Sequence, residues 1–200
     1  MTMTTKPYAE SCDQNREPIL SVIRPLFDDR QRVLEIGSGT GQHAVYFAAA
    51  LPHLTWYTSD CAEYHAGIRL WLEEAALPNV RAPLPLDVAR SEWPALDVDA
   101  VFSANTAHIM HWPEVEAMFA GVGRLLQTGG LFVLYGPFNY QGRFTSDSNA
   151  RFDGWLKGRD PGMGVRDFEA LERLAVAAGM ALLNDYPMPA NNRILCWRRR

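Results

Sequence analysis

Three observations predict an α/β fold of the doubly wound kind, with a mostly parallel seven-stranded sheet, helices on both faces and an antiparallel hairpin at the C-terminus. Strand-like and helix-like patterns alternate along the chain, which implies parallel strands joined by helices. A glycine-rich turn follows the first strand directly. The last two strands are joined by Pro187-Met188-Pro189-Ala190-Asn191-Asn192, too short for a crossover helix, so they run antiparallel.

The elements follow in order. Asn15 to Phe27 reads as a helix with Pro18 early, where its missing N–H costs little. Arg32 to Ile36 is a short apolar strand containing one acid, Gly37 to Gly41 the turn, and His43 to Leu51 an alanine-rich helix. Leu54 to Ser59 is β-branched and aromatic, hence a strand. Ala62 to Ala76 carries Ile68, Trp71, Leu72 and Ala75 at helical spacing. Arg81 to Leu86 is interrupted by Pro83 and Pro85, which predicts an edge strand. Ala100 to Ala104 and Leu131 to Tyr135 are buried strands flanking a helix, Pro113 to Leu126. Val165 to Ala178 is a helix closed by Gly179, and Ala181 to Tyr186 and Arg193 to Trp197 are the final strands. Residues 138–164 fit no core element and hold Gly142, Gly154, Gly158, Gly162 and Gly164; this long irregular segment reads as a lid or substrate insertion in an otherwise single domain of residues 1–200.

Composition narrows the function. The chain of 200 residues is 48% hydrophobic with a net charge of −4, which gives no basic field for a nucleic-acid backbone. The basic cluster Arg198-Arg199-Arg200 reads as a solvated chain end. Cys12, Cys61 and Cys196 lie far apart without a CxxC pair, which argues against a disulfide framework or a zinc site. The first residues lack an apolar leader, and no stretch is long enough to span a membrane, so a cytoplasmic location is expected.

Chemistry concentrates in Val33-Leu34-Glu35-Ile36-Gly37-Ser38-Gly39-Thr40-Gly41-Gln42-His43. Glycines admit positive φ and remove the Cβ that would hold a ligand away, and the free N–H groups of the following helix face that ligand. A dinucleotide fingerprint, GxGxxG, would need glycine at position 42, where Gln42 stands. There is no Walker lysine. The spacing is GxGxG, with Glu35 two residues before the first glycine, and it resembles the class I methyltransferase signature. Asp60 ends the second strand, where a carboxylate accepts hydrogen bonds from ribose hydroxyls, and Asp87 with Val88 ends the third.

The likeness extends beyond this loop. Asn15-Arg16-Glu17-Pro18-Ile19-Leu20, Ser103-Ala104-Asn105, Tyr135-Gly136-Pro137-Phe138, Thr145-Ser146-Asp147-Ser148-Asn149, Phe152-Asp153, Arg159-Asp160-Pro161, Val165-Arg166-Asp167 and Met188-Pro189-Ala190-Asn191-Asn192 together resemble the methyltransferase-like protein 26 family, or domain of unknown function 938. The resemblance runs from about Tyr8 to the C-terminus; where typical members have a tryptophan before the glycine of the Arg-Asp-Pro segment, this chain has Met163. It implies a Rossmann-like class I methyltransferase fold with S-adenosyl-L-methionine as cofactor. Gly37, Ser38, Gly39 and Gly41 would wrap the cofactor's amino-acid end, with Glu35 beneath them. Asp60 would hold the ribose, and Asp87 and the Val88 N–H the adenine. Arg16 and Asn105 are further cofactor candidates.

Ligands of open α/β sheets lie beyond the carboxyl ends of the strands. His108, after the fourth strand, is the candidate general base, with a structural hydrogen bond or helix cap as the alternative. His111, beside Trp112-Pro113, reads as a helix-entry residue. Tyr8, Tyr140, Asn149, Asp153 and Asn191 are candidate acceptor contacts, though salt bridging and turn formation account for the same residue types. The resulting expectation is transfer of a methyl group to a small polar acceptor, without metal, nucleic acid or membrane. A protein acceptor and a catalytically silent binding module are the alternatives.

Overall fold

A computed structural model of the chain describes residues 5–200. The absence of a leader sequence was read partly from Met1 to Thr4, which lie outside the described residues. The elements are α1 (Glu10–Leu26), β1 (Arg32–Ile36), α2 (Gln42–Ala50), β2 (Thr55–Asp60), α3 (His65–Ala75), β3 (Val80–Pro85), β4 (Ala100–Ala104), α4 (Trp112–Leu125), β5 (Leu131–Gly136), β6 (Phe138–Asn139), α5 (Asp147–Arg159), β7 (Arg166–Asp167), α6 (Phe168–Ala177), β8 (Met180–Met188) and β9 (Asn192–Arg199). Seven strands form one sheet in the order β3-β2-β1-β4-β5-β9-β8, with helices on both of its faces. β1 pairs with β2 and β2 with β3 in parallel, whereas β9 runs antiparallel to β5 and to β8. This is the Rossmann-like arrangement that the alternating pattern predicts, and proline-bearing β3 sits at the edge.

The chain divides into two compact units, Met1–Phe102 and Ser103–Arg200. Each has its own aromatic centre. In the first, Phe47 packs edge-on against Phe102 and tilted against Trp56, with centroids 5.4 and 5.7 Å away. In the second, Trp197 stacks on Phe132 at 5.6 Å and meets Phe119 edge-to-face at 5.3 Å. The Trp197 indole is satisfied by donating to Glu172 at 2.7 Å.

Four features differ from the sequence expectation. α1 starts at Glu10 rather than near Asn15, so Pro18 lies mid-helix; contacts of residues 9, 12 and 15 with Thr40 of the glycine turn and with Gln42 and His43 of α2 hold its first turns in place. The segment 138–164 is less irregular than expected: it carries the strand β6 and the helix α5. Its polar face and Gly154 and Gly158 hide the helical period, while Ser146 supplies a true N-cap by accepting from Asn149 N at 3.1 Å. β6 pairs with β7 as a small second sheet, so Val165-Arg166-Asp167 is not helical, and α6 begins at Phe168. The C-terminal arginines are not a loose end. β9 reaches Arg199, whose guanidinium donates to the carbonyls of Gly123 at 2.9 Å and Gly179 at 2.8 Å.

At Gly123 in α4 an added Cβ would lie 2.4 Å from the Ala178 carbonyl oxygen and 2.7 Å from the Ala178 Cβ. Gly123→Ala improves helix propensity by about 1 kcal/mol, but overpacking of this kind typically costs about 1–3 kcal/mol. We expect a lower urea midpoint with an unchanged m-value; a midpoint at or above that of the parent chain would refute the close helix contact.

Candidate functional site

In the first unit, the apolar run of β1 buries the strand and delivers the chain into the turn. Gly37, Gly39 and Gly41 adopt φ of 71°, 57° and 92°, a region costly for residues with a Cβ. The turn is pinned to β2: the amides of Gly37 and Ser38 both donate to Ser59 O, at 3.0 and 2.9 Å. A Cβ on Gly39 would meet nothing within 4 Å, so the turn leaves open space there. Gly41, by contrast, lies against α3, where a Cβ would be 3.2 Å from that of Trp71.

Glu35 is only 2% exposed. Its Oε2 accepts from Ser38 Oγ at 2.8 Å and Trp56 Nε1 at 3.1 Å, and the Ser59 hydroxyl donates to its main-chain carbonyl at 2.6 Å. The acid of the signature thus organises the turn from below. Burial raises its pKa from 4.5 to about 7, against the opposing effect of the two donors.

Asp60, at the end of β2, accepts Gly39 N on one oxygen and Cys61 N on the other, each at 2.8 Å. Each oxygen keeps a further lone pair. Burial holds its pKa above the usual carboxylate value. Asp87 follows β3 and folds the next turn, accepting the amides of Ala89 and Arg90 on Oδ1 at 3.1 and 3.2 Å. Val88 O accepts the Trp93 indole at 3.2 Å. Leu86 N donates to Asp60 O at 3.0 Å, tying the two acidic strand ends together.

α1 lies against this turn. Asn15 Oδ1 bonds the buried His43 ring at 2.7 Å, and burial lowers the His43 pKa to about 4. Arg16 is paired with Asp13 at 2.7 Å and lies 4.6 Å from the Tyr46 ring centroid, and Tyr8 donates to the same Asp13. Arg16 and Tyr8 therefore already have partners of their own on α1 and α2.

In the second unit, β4 ends in a loop where Asn105 adopts φ 59° and donates its amide to Tyr135 O at 3.0 Å. His108 is 7% exposed and meets Phe152 of α5 edge-to-face at 5.2 Å. Burial, with Arg166 second, lowers its pKa to about 4. The loop is held by Arg166, whose Nε donates to Ala107 O at 2.9 Å and whose Nη2 donates to Met110 O and, at 2.8 Å, to Gly162 O. The His108 carbonyl accepts Gly164 N at 2.9 Å. The His111 amide donates to Glu114 at 2.7 Å at the start of α4, and its ring bonds Asp160 at 2.8 Å, as befits a helix-entry residue.

The candidate acceptor residues separate into clusters. Asp153 accepts Val165 N at 2.9 Å and Lys157 Nζ at 2.7 Å. Asn149 donates to Asn191 O at 3.1 Å, and Asn191 adopts φ 58°. Tyr140 donates to Asp185 at 2.7 Å and stacks on Phe168, and Arg193 bonds the other Asp185 oxygen at 2.7 Å. The sequence marks Arg166 only as part of a motif, Gln42 as a break in the dinucleotide fingerprint and Trp71 as a helix-face residue, none of them as a site residue. The anomaly at position 42 was the one available signal. Among the described residues, no cluster of His, Cys, Asp and Glu could hold a metal ion. Among the described residues, no helix is long and apolar enough to cross a membrane.

The fold is shared with solved methyltransferases. The chain superposes with TM-score 0.80 on the S-adenosylmethionine-dependent methyltransferase SibL, at 21% identity over 94% of this chain and 55% of that one. An O-methyltransferase family protein from Burkholderia thailandensis matches with TM-score 0.80, at 16% identity over 92% and 55%. Human N-acetylserotonin methyltransferase, solved in complex with SAM, matches with TM-score 0.78, at 14% identity over 95% and 53%. The chain thus spans little more than half the length of these proteins. By sequence, residues 6–199 match the family described as "Protein of unknown function (DUF938)". The chain belongs to that family, as the motifs spread from Asn15 to Asn192 indicate.

The buried Glu35 has a consequence for stability. With its pKa raised from 4.5 to about 7, the folded chain holds this proton more tightly than the unfolded one. Its contribution to stability is greatest below the unfolded value and is lost as pH rises through about 7, by on the order of 3 kcal/mol. His43 and His108, whose pKa values are lowered to about 4, gain stability as pH rises to 6.5 and oppose this loss, so the test is a difference between chains. Relative to Glu35→Gln, which keeps an acceptor for Ser38 and Trp56, the thermal midpoint of the parent should fall between pH 5 and pH 8. An equal slope in the variant would show that Glu35 is not its source.

Proposed function

We propose that this chain is an S-adenosyl-L-methionine-dependent methyltransferase acting on a small polar acceptor. The observation that carries this reading is the glycine turn between β1 and α2. Its three positive-φ glycines leave open space at Gly39, and the turn is bonded to the Asp60 carboxylate at the next strand end. The donor set fits an adenosyl cofactor. The lone pairs left on Asp60 suit ribose hydroxyls, Asp87 and Val88 follow the next strand, and Gln42 replaces the glycine a dinucleotide would need. The solved neighbours supply the name of the cofactor, since SibL is S-adenosylmethionine-dependent and the human enzyme holds SAM.

When bound, the cofactor supplies an electrophilic methyl group, and the chain's task is to position an acceptor and exclude water. His108 has the character for a proton acceptor: it is buried and its ring nitrogens make no hydrogen bond among the described residues. With its pKa lowered to about 4, it is unprotonated across the physiological range and so free to accept a proton, though as a weaker base than a solvated imidazole. Arg166 and Gly164 fix the backbone on either side of it. Lys157 and Arg193 are bound to Asp153 and Asp185, and Arg166 to three carbonyls, so these three cations are already engaged within the chain.

Calorimetry with S-adenosylhomocysteine and with NAD tests the cofactor: binding of the first and not the second is expected, and the reverse would overturn the reading. With an acceptor found by screening hydroxyl and amine compounds, His108→Ala should lower kcat by about 10²–10⁴-fold. The acid limb of kcat/KM in the parent chain should lie near pH 4 rather than 6.5, because His108 stays neutral down to that range. An acid limb near 6.5, or full activity in His108→Ala, would remove His108 from the chemistry.

A further inference from the structure

Gln42 stands where a dinucleotide fingerprint has its third glycine, and methyl transfer as proposed above gives it no task. Its side chain is buried, yet its partner is main chain. Oε1 accepts the Ala9 N–H at 2.6 Å, and Nε2 donates to the Ala9 carbonyl at 3.2 Å. A carboxamide that satisfies both backbone groups of one residue holds that residue as a neighbouring strand would, whatever its side chain. Oε1 also accepts the Thr40 hydroxyl at 3.0 Å. The glycine turn, Gln42 and Ala9 therefore lie on one hydrogen-bonded path.

The residues before Ala9 are held in the same way. Trp71 Nε1 donates to Pro7 O at 2.7 Å. The Pro7 ring occupies the space over Gly67, where an added Cβ would lie 2.6 Å from Pro7 Cγ. Lys6 Nζ lies 3.4 Å from the centroid of a Trp71 ring and 2.7 Å from Glu74. Trp71 is also the side chain against which Gly41 packs. Lys6–Ala9 has no helix or strand of its own, and Tyr8 is 61% exposed. The segment is thus held by its backbone and by Pro7 rather than by a buried apolar face.

We propose that Gln42 is a positioning residue that clasps Lys6–Ala9 as a strap against the start of α2, beside the glycine turn, and that this strap slows release of the cofactor bound at the turn. The proposal rests on the turn being the S-adenosylmethionine site. A strap ordered at the expense of chain entropy and a ligand seated in the turn stabilise each other reciprocally. The ligand should therefore order the strap, and loosening the strap should weaken the ligand.

Two substitutions loosen it from opposite ends. Gln42→Ala removes both bonds to Ala9, and Gly67→Ala displaces Pro7 from α3 while leaving Gln42 intact and adding a better helix former. In the parent chain, S-adenosylhomocysteine should slow amide exchange at Tyr8 and Ala9. Gln42→Ala should raise its Kd about tenfold, mainly through faster dissociation, as expected for two lost hydrogen bonds. Gly67→Ala should shift Kd the same way, and the double variant should be no weaker than Gln42→Ala alone. Gln42→Glu, which keeps the acceptor and loses the donor, should fall between parent and Gln42→Ala. Exchange at Tyr8 and Ala9 that ignores the ligand, or an unchanged Kd in Gly67→Ala, overturns the strap alone. A parent chain that binds no S-adenosylhomocysteine overturns the cofactor reading and the strap with it. Should Gln42→Ala fail to fold, Gly67→Ala carries the same test.

Discussion

A carboxyl group inside a hydrophobic strand is the constraint on which the first unit is built. Glu35 lies among Val33, Leu34 and Ile36, all buried, and cannot stay there without donors. Ser38 and Trp56 provide them, one from the turn and one from the neighbouring strand. Because Ser38 must reach back three residues, the chain is forced to curl directly after β1, and the three positive-φ glycines are what allow it. The same curl brings two amides onto Ser59 O and a third onto Asp60. Turn shape, strand register and the orientation of the β2 carboxylate thus follow from satisfying one acid.

The start of the chain adds a layer to this arrangement. Ala9, Cys12 and Asn15, on one face of α1 and its entry, meet Gln42, Thr40 and His43 in turn. The cysteine thiol is pushed up to about 11, chiefly by burial, so it remains a packed, neutral group here. His43 stays neutral for the same reason and stacks on Phe47, linking the turn to the aromatic centre of the unit. Two prolines within α1 are tolerated because this layer, rather than helix propensity, holds the segment.

The sequence made the sheet legible because its strands are short, apolar and bounded by turn chemistry; the prolines at 83 and 85 even marked an edge. Gly37, Gly39, Gly41, Asp60 and Asp87 were legible as a spaced pattern at strand ends. What stayed hidden depends on partners far away in sequence. The helix α5 has a weak apolar period and two glycines, so only its N-cap at Ser146 announces it. Asp153 and Asn149 read as candidate acceptor contacts or as salt-bridge and turn residues, and sequence carries no sign that both are buried and bonded to backbone at Val165 and Asn191. Glu35 was legible as part of a signature, but its service to the turn emerges only once Trp56 is beside it.

Arg166 gives the second unit a particular order of assembly. The carbonyls of Ala107 and Met110 are joined to it across 59 and 56 residues of chain, whereas Gly162 lies only four residues away. The loop that carries His108 therefore cannot take its final form when β4 and α4 do. Its partners Gly164 and Arg166 come from just before and within β7, so the loop is completed only when that later segment docks. The geometry around His108 is accordingly a late product of folding, and local opening of the 162–166 segment would release it before the sheet itself gives way.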